Sequence, residues 1–244
     1  MINLFRPKRY RTPAGQLYTL FDDMAKQPHL LIAGATGSGK SVVVNGIIFN
    51  LIHEGPAENE LILIDPKRVE LNRYKNIPHC IRYASEPAER VEALNYAMNI
   101  VEARYKAMQR QGVQKYQGGH VYVIIDELAD LMTTQKKAVL PLIQRLCQIG
   151  RAANVHVIAC TQCPLAKILP TEIKVNFDAR VGLRTACAQD SRNILRVTGC
   201  ERLPRYGKGY YLKPEGISLY NIPMYTAEQY ETVLNWWTSK KCVA

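Results

Sequence analysis

An α/β fold built on a mostly parallel central sheet is expected from three features of the sequence. Short apolar runs recur along the chain, several without polar alternation, as in strands buried on both faces. Between them lie segments with apolar residues at steps of three and four, the helical period. The first run also passes straight into a glycine-rich turn and a helix. Such alternation implies crossover connections between parallel strands.

The expected strands are HLLIAG (29–34), LILID (61–65), CIRYA (80–84), VYVIID (121–126), VHVIACT (155–161) and ARVGLR (179–184). Ser85 is placed to cap a helix whose apolar face carries Val91, Leu94, Met98, Val101, Tyr105 and Met108. A second helix is expected over 138–149, with Pro141 near its first turn or kinking it. GKGYYLK (207–213) and ISLYNI (217–222) read as a hairpin around Pro214-Glu215-Gly216. Thr226 and Gln229 form a capping-box pattern opening a last helix that contains Trp236 and Trp237.

With 47% hydrophobic and 22% charged residues, the 244-residue chain has the composition of a globular protein, not a disordered one. Its 32 Lys and Arg against 21 Asp and Glu leave a net charge of +11, which favours a polyanionic partner. No apolar run reaches the roughly 18 to 20 residues of a membrane span. SVVVNGIIFNLI (41–52) is short and interrupted by Asn45 and Gly46. The basic start, MINLFRPKRYRTP, has no apolar core after it and so is not a signal peptide. Seven scattered cysteines suit a reducing compartment, so a soluble, cytoplasmic protein is expected. CTQC (160–163) has C-x-x-C spacing and His156 just upstream, but no second pair completes a zinc site. Pro164 follows where a redox motif would open a helix, so the plainer reading is two buried thiols at a strand end.

Gly34-Ala35-Thr36-Gly37-Ser38-Gly39-Lys40-Ser41 fits G-x-x-x-x-G-K-[ST] between a strand and a helix. Its glycines let backbone N–H groups converge on phosphate oxygens, and the helix start adds its positive dipole end. Lys40 supplies charge to the β- and γ-phosphates, and the Ser41 hydroxyl ligates Mg²⁺. VYVIIDE supplies the rest of the site. Asp126 is placed to orient Mg²⁺ or its water, and Glu127 to polarise an attacking water. Two acids after a strand are otherwise a common helix cap. Thr161 and Gln162 emerge at the end of another buried strand, as contacts to the γ-phosphate or as ordinary loop hydrogen bonds. No Asn-Lys-x-Asp guanine reader occurs, so ATP is favoured over GTP.

These stretches, with LILIDPKRVEL, RLCQIGRAANVHVIACTQ and DSRNIL, resemble the motor domain of the FtsK/SpoIIIE DNA translocases, from about residue 14 to about 212. Asp65-Pro66-Lys67 followed by Val69-Glu70-Leu71, and Arg151-Ala152-Ala153, carry the likeness beyond the phosphate loop. The resemblance implies a RecA-like ATPase that forms a homo-hexamer and pulls double-stranded DNA through its centre. It implies ATP between subunits and an arginine from a neighbour, with Arg151 the first candidate and Arg180 the second. The chain itself is expected to divide into a basic strap (1–28), the motor (29–225) and a C-terminal helix (226–244).

Residues 174–213 hold nine basic and three acidic residues, a set suited to phosphate contacts without base reading. RQGVQKYQGG (110–119) is the other candidate for a DNA-facing loop. The chain departs from the family where Cys163-Pro164 replaces Arg-Pro after Gln162, and where PRYGKGYYL replaces the usual ending. The segment between Tyr105 and Val121 is short. The expectation is therefore an isolated motor or a compact mobile-element relative. Two alternatives stay open: a slow DNA-transfer coupling ATPase, hinted at by Cys163, and a type VII protein-secretion ATPase, disfavoured by Asp65-Pro66-Lys67 where those proteins tend to have Asp-Phe-Lys-Gly-Gly.

Overall fold

The computed structural model describes residues 27–165, 168, 170–222 and 224–241. All of the basic strap except Gln27 and Pro28 lies outside the described residues. The chain runs β1 (His29–Ala33), α1 (Lys40–Leu51), β2 (Asn59–Ile64), β3 (Cys80–Ala84), α2 (Pro87–Gln111) and β4 (His120–Ile125). It continues through α3 (Leu128–Thr134), α4 (Lys136–Ile149), β5 (Val155–Thr161), α5 (Thr171–Lys174), β6 (Ala179–Gly182) and α6 (Ala188–Leu195). It closes with β7 (Lys208–Lys213), β8 (Gly216–Asn221) and α7 (Ala227–Lys241).

The strands make one 8-stranded sheet in the order β3-β2-β4-β5-β1-β6-β7-β8. From β3 to β6 every pairing is parallel, and the β7–β8 hairpin adds two antiparallel strands at one edge. The period-2 geometry of strands splits each apolar run between two cores. Leu30, Ile32, Leu61, Leu63, Ile124 and Ile158 face α1 and α7. Leu31, Ile62, Ile64, Val123, Ile125 and Val157 face α2, α3 and α4. This double burial is why the strand sequences lack alternation.

Helix α1 lies between the sheet and α7, which explains its apolar residues on more than one face. Phe49 packs against Tyr225 and Tyr230, with ring centroids 4.3 and 5.2 Å away. Burying such a side chain contributes about 1.5–3 kcal/mol. Trp237 Nε1 donates to Ile52 O at 2.7 Å, so the last helix is tied to the end of α1. Its start is the expected capping box, with Thr226 N–H on Gln229 Oε1 and Gln229 N–H on Thr226 Oγ1.

Two local expectations need correction. Helix α2 is capped by Glu86, not Ser85, because Pro87 occupies the first helical position, where its missing N–H costs nothing. Glu89 Oε2 accepts both the Ser85 and Glu86 N–H groups at 2.9 Å. Helix α4 begins at Lys136, two residues before the expected start, and Pro141 lies inside it.

At the N-terminal edge of the sheet, three histidines are packed without charge. His156 Nδ1–H donates to Pro28 O at 3.1 Å, and its Nε2 accepts from His120 Nδ1 at 2.8 Å. His29 Nδ1 accepts the Val157 N–H. Burial lowers His29 from 6.5 to about 4 and His156 to about 3. The unfolded chain therefore binds protons that the folded one refuses. Stability should be full above about pH 6.5 and fall as pH drops toward 4, by about 1.4 kcal/mol per pH unit for each histidine. Urea unfolding across that window checks this. His156→Gln should flatten part of the slope, and an unchanged slope contradicts the assignment.

Candidate nucleotide site

Parallel pairing brings the ends of β1, β4, β5 and β6 to one edge, with Ala33 beside both Thr161 and Gly182. The glycine-rich loop leaves this edge tied on both sides. Gly34 N–H donates to Thr161 O at 3.3 Å and Ala35 N–H to Arg184 O at 2.8 Å. A Cβ on Gly34 would stand 2.6 Å from Ser38 Oγ and 2.7 Å from Leu183 Cβ, so the first glycine is required by packing. Gly37 (φ 71) and Gly39 (φ 96) adopt the left-handed backbone that turns the loop into α1. No acidic residue lies in the first turn of α1, which leaves the helix start open to an anion.

Lys40 is buried, and its Nζ donates to Gly34 O at 3.0 Å and Ala35 O at 3.3 Å. Burial holds its pKa below the ordinary lysine value, partly offset by Cys160, Glu127 and Asp126. Ser38 Oγ is buried with no hydrogen-bond partner. A loop of convergent N–H groups, a buried cation and an orphan hydroxyl together fit a polyphosphate.

Asp126 and Glu127 follow β4 on the same edge. Burial, then the charges of Asp65, Glu70 and Glu127, push the Asp126 carboxyl up to about 7. So much negative charge in one place is what a divalent cation relieves. Glu127 is buried at the start of α3, but its side chain does not cap that helix. Its Oε1 accepts the Gln162 N–H at 3.1 Å, and its Oε2 accepts from Lys67 Nζ at 3.1 Å. Thr36 Oγ1 donates to Gln162 Oε1 at 2.8 Å, so Gln162 joins the tip of the loop to Glu127. Thr161, paired with Gln162 in the sequence reading, is instead buried and exchanges hydrogen bonds with Cys163 N–H and O.

The structure separates the two candidate arginines. Arg151 is exposed in the turn before β5, at the opposite edge of the sheet from the glycine-rich loop. It borders a cavity of about 270 Å³ with His29, Gln148, Asn176 and Asp178. Arg180 is the correction. It is 3% exposed, and its guanidinium donates to Phe177 O, Ile194 O and Lys174 O. All three are carbonyls of its own chain, so Arg180 is turned inward and fastens α6 and the 174–177 turn to β6.

Of the basic stretch, Arg184, Arg192, Arg196, Arg202, Arg205 and Lys208 are exposed, while Lys174 and Lys213 are half-buried. Arg205 was not expected beside the phosphate loop. It closes a cavity of about 350 Å³ with Thr36, Gly37, Arg184 and Glu201, because β7 returns antiparallel and carries its preceding loop back to this edge. The 112–119 segment lies at the other edge. Tyr116 N–H donates to Ala152 O, and Asn154 Nδ2 donates to Tyr116 O and Gly118 O. At CTQC, Cys160 is buried and its thiol is raised well above the ordinary value by burial. His156 is engaged with Pro28 and His120 rather than with the thiols. Among the described residues, no group of three or more His, Cys, Asp or Glu is arranged to hold a metal ion, and no helix is long and apolar enough to cross a membrane.

The sequence matches the FtsK/SpoIIIE family over residues 17–122 and 117–166. The DNA translocase FtsK of Caldanaerobacter subterraneus subsp. tengcongensis is 42% identical over 199 residues, 77% of this chain and 28% of that protein. The DNA translocase FtsK of Clostridium tetani is 37% identical over 243 residues, 90% of this chain and 32% of that protein. The chain thus spans about a third or less of these relatives. Among solved structures, the pCW3 conjugation coupling protein TcpA, a monomer form with ATPγS, superposes with TM-score 0.76 at 24% identity, over 88% of this chain and 66% of that one. The cytoplasmic domain of the type VII secretion ATPase EccC from Thermomonospora curvata gives 0.73 at 20% identity, over 86% and 28%. These two likenesses show the fold, a P-loop ATPase sheet flanked by helices.

The two arginines should separate in stability. Arg180→Ala should lower the unfolding free energy by about 2–4 kcal/mol, since two buried carbonyls and a partly buried one lose a charged donor. Arg151→Ala, at the surface, should change it by less than about 0.5 kcal/mol. Urea denaturation of both variants checks the contrast, and equal losses would contradict it.

Proposed function

The chain belongs to the FtsK/SpoIIIE family, and from that premise we propose that it is an ATP hydrolase that drives double-stranded DNA movement as one subunit of a homo-hexameric ring. The observation that carries this reading is the division of polar residues between two edges of one sheet. The glycine-rich loop, Asp126, Glu127 and Gln162 stand at one edge and Arg151 at the other. The seven residues of β5 lie between them, roughly 20 Å at about 3.3 Å per residue. A subunit's own Arg151 cannot serve its own site, whereas Arg151 of the partner subunit can.

In this reading the phosphates of ATP rest on Gly34, Ala35, Thr36, Gly37, Ser38, Gly39, Lys40 and Ser41. Lys40 Nζ exchanges its two carbonyl partners for phosphate oxygens. Ser41 and Asp126 would hold Mg²⁺, which supplies positive charge against the phosphates. Glu127 takes the proton of the water that attacks the γ-phosphorus, and ADP departs with the bridging oxygen. Gln162, joined to both Thr36 and Glu127, registers the γ-phosphate. Arg151 from the neighbour offsets charge on the transferred group. The exposed arginines of 184–205 and Lys208 hold DNA phosphates, a contact that reads no sequence and so permits sliding. A slow coupling ATPase is the second reading, favoured by Cys163 where the family's arginine is missing.

Lys40→Ala and Glu127→Ala should each lower ATP turnover by roughly 10²–10⁴-fold, with Glu127→Ala still binding ATP. Normal turnover by either contradicts the site. Mixing Arg151→Ala with Glu127→Ala subunits should restore part of the activity, because some interfaces then pair an intact site with an intact arginine. No recovery at any mixing ratio contradicts an arginine acting across subunits.

A further inference from the structure

The loop after β2 is built to deliver one lysine. Asp65 is fully buried, and its Oδ2 accepts the Leu71 N–H at 3.0 Å, closing residues 65–71 on themselves. Leu71 is itself fully buried and anchors the far end. Within the turn, Arg68 N–H donates to Asp65 O at 3.2 Å, and Arg68 takes a left-handed φ of 58°. Pro66 stiffens the start. The apex then stands out, with Val69 at 70% exposure. Lys67 does not follow it outward. Its Nζ turns back to Glu127 Oε2 at 3.1 Å, although the side chain is 45% exposed against 7% for Glu127.

A half-exposed lysine gains little from a surface pair. Its partner is different, being buried beside Asp126, a carboxylate that Asp65, Glu70 and Glu127 itself crowd with negative charge. Glu127 is held by two donors only among the described residues, the Gln162 N–H on one oxygen and Lys67 on the other. One donor leaves a carboxylate free to swing about its side-chain torsions. Two donors, one on each oxygen, fix the plane of the carboxylate and the lone pairs left to face a water. A general base gains rate chiefly through such placement.

We propose that Lys67 is a positioning residue for ATP hydrolysis, orienting the Glu127 carboxylate from outside the phosphate site. The inference rests on Glu127 being the general base. It gives Asp65-Pro66-Lys67 and Leu71 a shared purpose. Asp65, Pro66 and Leu71 set the loop, and the loop sets the lysine. Lys67 itself touches neither the glycine-rich loop nor the reacting atoms, so its loss should appear in the chemical step and not in nucleotide binding.

Lys67→Met keeps the aliphatic stem and removes the cation, and Lys67→Arg keeps the cation. With long double-stranded DNA present, Lys67→Met should lower kcat by about 10- to 100-fold. KM and the affinity for a fluorescent ATP analogue should stay within about two-fold, and Lys67→Arg should recover most of the loss. Adding Lys67→Met to Glu127→Gln should slow that variant no further, because the oriented carboxylate is already gone. A Lys67→Met enzyme with normal kcat, a loss confined to KM, or a full additional loss in the double variant would overturn the proposal. Normal turnover by Glu127→Gln alone would defeat the general-base reading and this inference together. Slow turnover by Glu127→Gln beside normal turnover by Lys67→Met would defeat this inference alone.

Discussion

Parallel registry from β3 to β6 is the constraint on which everything else in this molecule depends. Ile64 pairs with Ile125, Ile125 with Ala159, and Ala33 with both Thr161 and Gly182. The strands therefore end almost level. The residues just past their ends, Gly34, Asp65, Asp126, Gln162 and Leu183, gather at one end of the sheet although the chain separates them widely. Open parallel sheets place ligands at this edge because loops there converge without competing for hydrogen bonds with the sheet. The opposite edge receives the complementary set: the histidine stack, the 112–119 segment and Arg151.

Much of this was legible because burial on both faces writes itself into the sequence as unbroken apolar runs. All six parallel strands lie within two residues of where the apolar runs place them, and the Thr226–Gln229 cap follows directly from the sequence. The phosphate loop was visible because its glycines and lysine must be neighbours in the chain. What escaped notice depended on contacts between distant residues. Lys67 meets Glu127 across 60 positions, and Arg205 reaches Gly37 only because the β7–β8 hairpin folds back. Nothing local marks either. The Ser85 cap failed for a short-range reason, since Pro87 fits the first helical position better than any competitor.

Charge was the least legible property. A net +11 suggests a broad basic surface, yet Arg90, Arg104 and Arg180 are buried. Arg104 donates to Ala153 O at 2.8 Å and Asn154 O at 3.2 Å, with its guanidinium 4.4 Å from the Tyr116 ring centre. It thereby shapes the turn that presents Arg151. Arg90 joins Ser85 O and Asp130, linking α2 to α3. These arginines act as multi-donor fasteners, each holding two or three oxygens at once. Sequence spacing cannot distinguish them from arginines left in water, which alone remain to meet a polyanion.

The central claim is that each site is completed by a neighbouring subunit assembled on DNA. Its most direct test is ATP turnover per subunit as a function of protein concentration, with and without long double-stranded DNA, at low and high salt. The account predicts turnover that rises steeply with concentration, rises further with DNA, and falls as salt screens the phosphate contacts. Turnover per subunit that is constant with dilution and indifferent to DNA would mean that one subunit holds a complete site, and would contradict it.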